Sequence, residues 1–206
     1  MILHTERLTL RPWAPKDDEA MNLYCRDPEV GPPAGWPPHK SLEESRGIVE
    51  KLMACPEAYA ICLKGTDEPI GCIDLKLKDR TDLTDRDDEG EIGYWLGKPF
   101  WGRGIMPEAT REMLRHAFED LGMQKVWCAY YDGNEKSKRV QEKVGFRYQR
   151  TTPGRGRAFA GRKAHRPRKL YDQNRMAQQT KRRGIITPSW FLFLGTFFSF
   201  PKEKKV

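Results

Sequence analysis

One stretch of this sequence is built to hold an anion: Leu96-Gly-Lys-Pro-Phe-Trp-Gly-Arg-Gly-Ile-Met-Pro107. Gly102 and Gly104, one residue apart, let the main chain turn tightly and approach a ligand closely. A helix follows with Pro107 in its first turn, and the free N–H groups and dipole of a helix N-terminus attract phosphate. The arrangement is a pyrophosphate site in principle. A dinucleotide-binding fingerprint requires a third glycine where Pro107 stands, and a P-loop requires Gly-Lys-Ser/Thr after a longer gap, so neither applies.

Other reactive residue types read as structural. The five cysteines, Cys25, Cys55, Cys62, Cys72 and Cys128, form no Cys-x-x-Cys pair, and three sit in apolar, strand-like runs where a thiol behaves as a small hydrophobe. A reducing, cytoplasmic setting is expected. Cys128 has no nearby sequence partner to depress its pKa and reads as packing rather than a nucleophile. His4, His39, His116 and His165 show neither metal-ligand spacing nor a triad pattern, so no metal is expected. Residues 79–89 carry Asp or Glu at six of eleven positions and read as a solvated loop.

The elements around the anion motif follow from periodicity. Leu8 and Leu10 alternate with polar neighbours in a strand ended by Pro12. A helix from about residue 16 buries Ala20, Leu23 and Tyr24. Gly31-Pro-Pro-Ala-Gly-Trp-Pro-Pro38 cannot hold regular structure and reads as a loop that links helices rather than roofing a site. Ser41 and Glu44 form a capping box for a helix to about residue 53. Strands at 59–64 and 70–77 form a hairpin, and 91–96 is the next strand. Residues 107–121 form an amphipathic helix with Ala109, Met113, Leu114, Ala117, Phe118 and Leu121 on one face. A strand at 126–130, a helix at 135–144 and a strand from 146 complete the series.

In that setting three separated motifs resemble the GNAT superfamily of N-acetyltransferases: Glu91-Ile-Gly-Tyr-Trp-Leu-Gly-Lys-Pro-Phe-Trp-Gly-Arg-Gly-Ile-Met-Pro-Glu-Ala109, Asn134-Glu-Lys-Ser137 and Glu142-Lys-Val-Gly-Phe146. The opening Thr5-Glu-Arg-Leu-Thr-Leu-Arg-Pro12 is similar to the branch of ribosomal-protein N-terminal acetyltransferases. The resemblance covers residues 5 to about 153. It implies an α+β fold, a mixed, mostly antiparallel central sheet flanked by helices, and acetyl-CoA as co-substrate. It places Trp101, Gly102, Arg103, Gly104, Ile105 and Met106 in the cofactor loop, where the family has Gly or Ala at the position of Met106. Main-chain N–H groups bind the phosphates there, so that departure is tolerable.

The resemblance also sets Leu96 where the central strand diverges from the next, its N–H a candidate oxyanion donor. Asn134 and Ser137 are implied to face the cofactor arm, although both residue types also cap helices well. Ser137 is the first candidate for the acid that protonates the departing thiolate, with Tyr130 or Tyr131 as alternative. Glu91 is the candidate base for the acceptor amine, directly or through water. The implied reaction is direct transfer in a ternary complex. A primary amine, at a protein N-terminus or in a small molecule, is the expected acceptor, and the protein is expected as a monomer or homodimer away from any membrane.

Charge divides the chain in two. Its net charge is +8, yet residues 1–150 hold 23 Lys and Arg against 27 Asp and Glu, a net of −4. Residues 151–206 hold 14 basic residues against Asp172 and Glu203, a net of +12. Residues 1–153 are therefore read as the acetyltransferase domain and 154–206 as a basic, poorly ordered tail, with the final strand of the fold missing or replaced. Reverse translation suggests a shifted reading frame as its origin, because advancing one base turns the Met176-Ala177 codons into an obligatory Trp and permits a preceding string that resembles how the branch ends. The rival reading of the whole is a catalytically inactive CoA-binding or nucleic-acid-binding protein, nucleic acid being recruited only by the tail.

Overall fold

The computed structural model describes residues 1–152 and the strand Arg168–Asn174. Its strands are β1 (Leu3–His4), β2 (Leu8–Pro12), β3 (Ala58–Leu63), β4 (Pro69–Leu77), β5 (Glu89–Leu96), β6 (Lys125–Tyr131), β7 (Arg147–Thr152) and β8 (Arg168–Asn174). They form one sheet in the order β1-β2-β3-β4-β5-β6-β8-β7. Every pairing is antiparallel except β5 with β6. The helices are α1 (Asp18–Cys25), α2 (Leu42–Met53), α3 (Ile105–Arg115) and α4 (Glu135–Val144).

Strand alternation sorts the core into two layers. Ala60, Cys72 and Trp95 stand in register across β3, β4 and β5, and this face packs against Met21 and Cys25 of α1 and Val49 of α2. The opposite face, with Tyr59, Ile73, Leu75 and Ile92, packs against Ile105, Ala109, Met113 and Leu114 of α3 and Val144 of α4. Burying one such Leu or Met side chain stabilises the fold by roughly 1.5–3 kcal/mol. The site described below lies where the two layers meet at the interrupted centre of the sheet.

Two helix ends depart from expectation in detail. Ser41 accepts from the Glu44 N–H at 3.1 Å as a cap should, but the Glu44 carboxylate accepts from the Lys40 N–H, one residue before the cap. α3 ends at Arg115 and continues as a π turn, His116–Asp120, closed by a bond from the Leu121 N–H to the His116 carbonyl. Among the described residues, no helix is long and apolar enough to cross a membrane.

Of the two alternatives expected for the final strand, missing or replaced, the first is corrected: the basic segment itself supplies a strand. β8 pairs with β6 from Lys125↔Asn174 to Tyr131↔Arg168 and with β7 from Arg147↔Asp172 to Thr152↔Arg168. A ladder is made by main-chain N–H and C=O groups, which a basic, proline-free segment supplies as well as an apolar one. The rest of the basic segment, 153–167 and 175–206, lies outside the described residues, and the expectation of poor order falls there.

Candidate active site

β5 and β6 pair only as far as Ile92↔Cys128. Beyond that point residues 93–96 stay with β4 and residues 129–131 stay with β8, so the two strands open into a V. A cleft of about 690 Å³ fills the opening. The Gly97 N–H bonds the Ile70 carbonyl at 2.8 Å, and hydrogen-bonded pairs alternate along an antiparallel ladder. With Leu96 opposite Gly71 and Tyr94 opposite Ile73, the Tyr94 and Leu96 N–H groups therefore point away from β4, into the V. The Leu96 carbonyl is already taken, accepting from Trp101 Nε1 at 2.7 Å.

The turn after β5 carries the two glycines in the left-handed region, Gly102 at φ 77° and Gly104 at φ 74°, with Gly104 as the N-cap of α3. A Cβ at Gly102 would meet nothing within 4 Å, so conformation rather than crowding demands glycine there. The Trp101 ring lies under Lys136, whose Nζ is 3.6 Å from its centroid. Lys136, Arg139 and Lys143 line the cleft from one face of α4. The donor set, main-chain amides at a helix start beside a cationic helix face, fits a pyrophosphate and a further phosphate.

The cradle is braced by the first strands. Arg7 Nη1 donates to the Arg103 carbonyl at 3.0 Å and its Nε to Glu108 Oε2 at 2.7 Å, while Thr5 Oγ1 and the Arg7 N–H donate to Glu108 Oε1 at 2.5 and 2.9 Å. Burial works against the charged Glu108 carboxylate, but these donors outweigh it and hold its pKa below the usual range.

At the other mouth of the V, Pro33, Ala34 and Trp36 line the cleft. Asn134 Nδ2 donates to the Pro33 carbonyl at 3.1 Å, and a Cβ on Gly35 would fall 2.5 Å from the Tyr131 ring. The proline-rich loop is thus a wall of the site, against the expectation that it only links helices. Nor is it wholly irregular, as the sequence led one to expect: Pro32–Ala34 form a 3-10 turn ended by Gly35 at φ 90°, and the missing Cβ of Gly35 permits the close seat on Tyr131 that brings the loop in.

Three charged side chains project from the same face of β4 and β5 into this end: Asp74, Lys76 and Glu91. Glu91 accepts from Thr81 Oγ1 at 2.7 Å and lies 3.4 Å from Lys76 Nζ. Asp74 is held more loosely, 3.9 Å from Arg80 Nη2. Burial, reinforced by the Glu91 charge against the pull of Lys76 and Arg80, raises the Asp74 pKa. Burial opposes the charge on Lys76, and Asp74 and Glu91 outweigh it, so its amine stays above the ordinary lysine range. Gly93 makes room for this group, since a Cβ there would sit 2.5 Å from Asp74 Oδ1.

A family profile described as Acetyltransferase (GNAT) domain matches residues 7–147. This chain belongs to the GNAT acetyltransferase family. It is 28% identical over 149 residues to the "Uncharacterized N-acetyltransferase p20" of Bacillus licheniformis, covering 70% of this chain and 81% of that one. A 58-residue stretch is 45% identical to the "Putative ribosomal N-acetyltransferase YdaF" of Bacillus subtilis, covering 28% of this chain and 32% of that one. The fold matches the crystal structure of a GNAT-family acetyltransferase from Bacillus anthracis with a TM-score of 0.71 at 22% identity, over 85% of this chain and 99% of that one. Membership makes the protein an acyltransferase, and acetyl-CoA is the acetyl donor of the family.

In this GNAT enzyme Leu96, Trp101, Gly102, Gly104, Ile105, Met106, Asn134, Ser137, Tyr130 and Glu91 all line the one cleft. Arg103 contributes its carbonyl to the Arg7 brace and stacks over Phe100 at 5.7 Å. Asn134 is the N-cap of α4, accepting from the Ser137 N–H at 3.2 Å, and lines the cleft as well, so its two readings coexist. The phenol beside Ser137 is Tyr94, whose hydroxyl is 3.0 Å from Ser137 Oγ. Burial pushes the Tyr94 pKa well up, keeping it protonated. Cys128 is buried, and burial likewise raises its thiol pKa, which disfavours a nucleophilic thiolate.

Asp74, Tyr94 and the Arg7–Glu108 brace escaped the reading of the sequence. Their partners lie on other elements, and no local spacing announces them. The α4 cations were legible in principle, since 136, 139 and 143 fall on one helical face.

Proposed function

We propose that the enzyme moves acetyl from acetyl-CoA to a primary amine, on a small molecule or a protein N-terminus, by direct transfer in a ternary complex within the V between β5 and β6. The observation that carries this reading is the divergence after Ile92 and Cys128. It leaves main-chain donors on one wall, a glycine cradle and cationic helix face at one mouth, and a carboxylate pair at the other.

The N–H groups of the turn through Gly102, Arg103 and Gly104, and of Ile105 and Met106, hold the pyrophosphate. Trp101 ties that turn to the end of β5. The Tyr94 and Leu96 N–H groups bind the pantetheine arm, and the Leu96 N–H stabilises the negative charge that develops on the thioester oxygen. The carboxylate pair Glu91 and Asp74 takes the proton from the acceptor ammonium, directly or through water, and the free amine bonds to the carbonyl carbon. As the carbon–sulfur bond breaks, Ser137, supported by Tyr94, protonates the departing thiolate, and the second proton of the attacking nitrogen, released as the amide forms, passes through water back to Ser137. Tyr130, in the same cleft, is the second candidate for that acid. Five free cysteines suit a reducing compartment, and we place the enzyme in the cytoplasm.

The test is CoA release measured over a panel of primary amines while both substrates are varied. Direct transfer gives intersecting double-reciprocal lines, and parallel lines overturn it in favour of an acyl-enzyme. Gly104→Ala, strained at its positive φ, is expected to raise KM for acetyl-CoA about tenfold, in keeping with a backbone penalty of roughly 1–2 kcal/mol. An unchanged KM removes the cradle from the reading.

A further inference from the structure

A second cavity, of about 240 Å³, opens from the acceptor end of the cleft and shares Trp36, Cys72, Asp74 and Trp95 with it. Its remaining wall is largely apolar, with Met21 and Cys25 from α1 and Ile48 and Leu52 from α2; Glu44 also lines it, its carboxylate engaged by the Lys40 N–H. His39 closes one side, its Nδ1 within 2.8 Å of Ser45 Oγ and its ring 5.5 Å from that of Trp36. Trp95 packs in turn against Trp13 in a tilted arrangement, ring centroids 6.4 Å apart. These contacts fix the two indoles that form the walls, so the cavity is pre-shaped rather than a gap between mobile side chains.

Its size and lining restrict what it can take. An apolar cavity of about 150 Å³ accommodates benzene, so this one admits a phenyl group or a branched alkyl group of comparable bulk. Methyl or ethyl groups would leave most of the apolar lining without contact, forfeiting the burial that drives such binding. Asp74 stands where the two cavities join, and its carboxylate faces the same space as Glu91. A ligand with an ammonium at that junction and an apolar body pointing away from the thioester satisfies both features.

We infer that the acceptor is a primary amine carrying a bulky apolar group, aromatic or branched aliphatic, which seats between Trp36 and Trp95 against Ile48 and Leu52 while its nitrogen lies at Asp74. This inference rests on the acetyl-transfer reading above and names the substrate class of that site. The same chemistry is presented by a free arylalkylamine and by a peptide whose first residue is Phe or Leu.

The experiment measures CoA release by the full chain with ethylamine, isoamylamine and phenethylamine, and with short peptides beginning Ser, Leu or Phe. Removing one methylene from a filled apolar pocket costs about 10-fold or more in kcat/KM. Phenethylamine is therefore expected to exceed ethylamine by at least about tenfold, and the Phe peptide to exceed the Ser peptide likewise. If only the peptides show the preference, the source is a protein N-terminus; if only the free amines show it, the source is a small molecule. Ile48→Phe, which fills the cavity, is expected to lower the phenethylamine-to-ethylamine ratio at least about fivefold, with CoA affinity and thermal melting reporting that the variant is folded. Should Ile48→Phe fail to fold, the wild-type series still decides. Comparable kcat/KM across the series overturns the substrate class alone and leaves acetyl transfer standing. CoA binding without release for any amine overturns both.

Discussion

Asp74 and Glu91 occupy one face of neighbouring strands, two register positions apart, with Lys76 opposite Glu91 and Gly93 opposite Asp74. Burial raises Asp74, and the Glu91 charge raises it further. The acid limb of kcat/KM is therefore expected above the ordinary aspartate range of about 4. Glu91→Gln removes a charge that raises Asp74, so the limb should move to lower pH while kcat falls by roughly 100-fold. Asp74→Asn should abolish the limb. A pH–rate profile on the two variants checks this, and a limb that stays in place in both assigns the titration elsewhere. At this scale the sequence was most legible where neighbouring residues set the conformation. The tight turn at Gly102 and Gly104, both at positive φ, could be read from their place between a strand and a helix, whereas Asp74 sits in a plain alternating strand and gains its meaning from Gly93, nineteen positions later, which leaves the space its carboxylate enters.

α3 shows what periodicity can and cannot tell about an element. Its apolar face, Ala109, Met113, Leu114, Ala117 and Phe118, is buried as the spacing predicts, but the π turn at its end has no signature in hydrophobic pattern. That turn places His116 between Glu57 and Asp120, with Nε2 2.9 Å from Glu57 Oε2 and Nδ1 2.8 Å from Asp120 Oδ2. Glu57 lies immediately before β3 and also accepts from Tyr59, so the imidazole clamps helix to sheet. The hydrogen bond to Glu57 raises the His116 pKa above its ordinary 6.5 against the opposing effect of burial, and Asp120 adds to it. Arg115 and His116 together pull Asp120 down to about 2. A raised histidine stabilises the fold fully below its unfolded pKa, and the increment is lost as pH rises through the folded value. His116→Gln is therefore expected to cost about 2 kcal/mol at pH 6 and clearly less at pH 9. Urea unfolding of both proteins at the two pH values measures this, and an equal loss at both would mean that the clamp is packing alone.

The whole molecule joins an acidic body to a basic end, a net of −4 over residues 1–150 against +12 over 151–206, and composition alone places the border of the domain near residue 153. The sheet crosses that border. β8 lies between β6 and β7, so it satisfies one edge of each, and it holds residues 129–131, one wall of the V, away from β5. This was illegible because a strand inserted between two others is specified by the edges it meets, and a segment rich in Arg and Lys shows no alternating pattern of its own. We propose that the functional domain extends through β8, and that the change in composition marks no structural end. A chain ending at residue 174 is then expected to release CoA at the rate of the full chain and to melt within a few degrees of it. A chain ending at residue 152 loses an interior strand and exposes two unpaired edges. Its Tm should fall by about 10 °C or more, the equivalent of several kcal/mol for a domain of this size, and its turnover should fall with it. Thermal melting and CoA release on the two truncations make the comparison. If the shorter chain is as stable and active as the longer, β8 contributes nothing to the site and the domain closes at β7 after all.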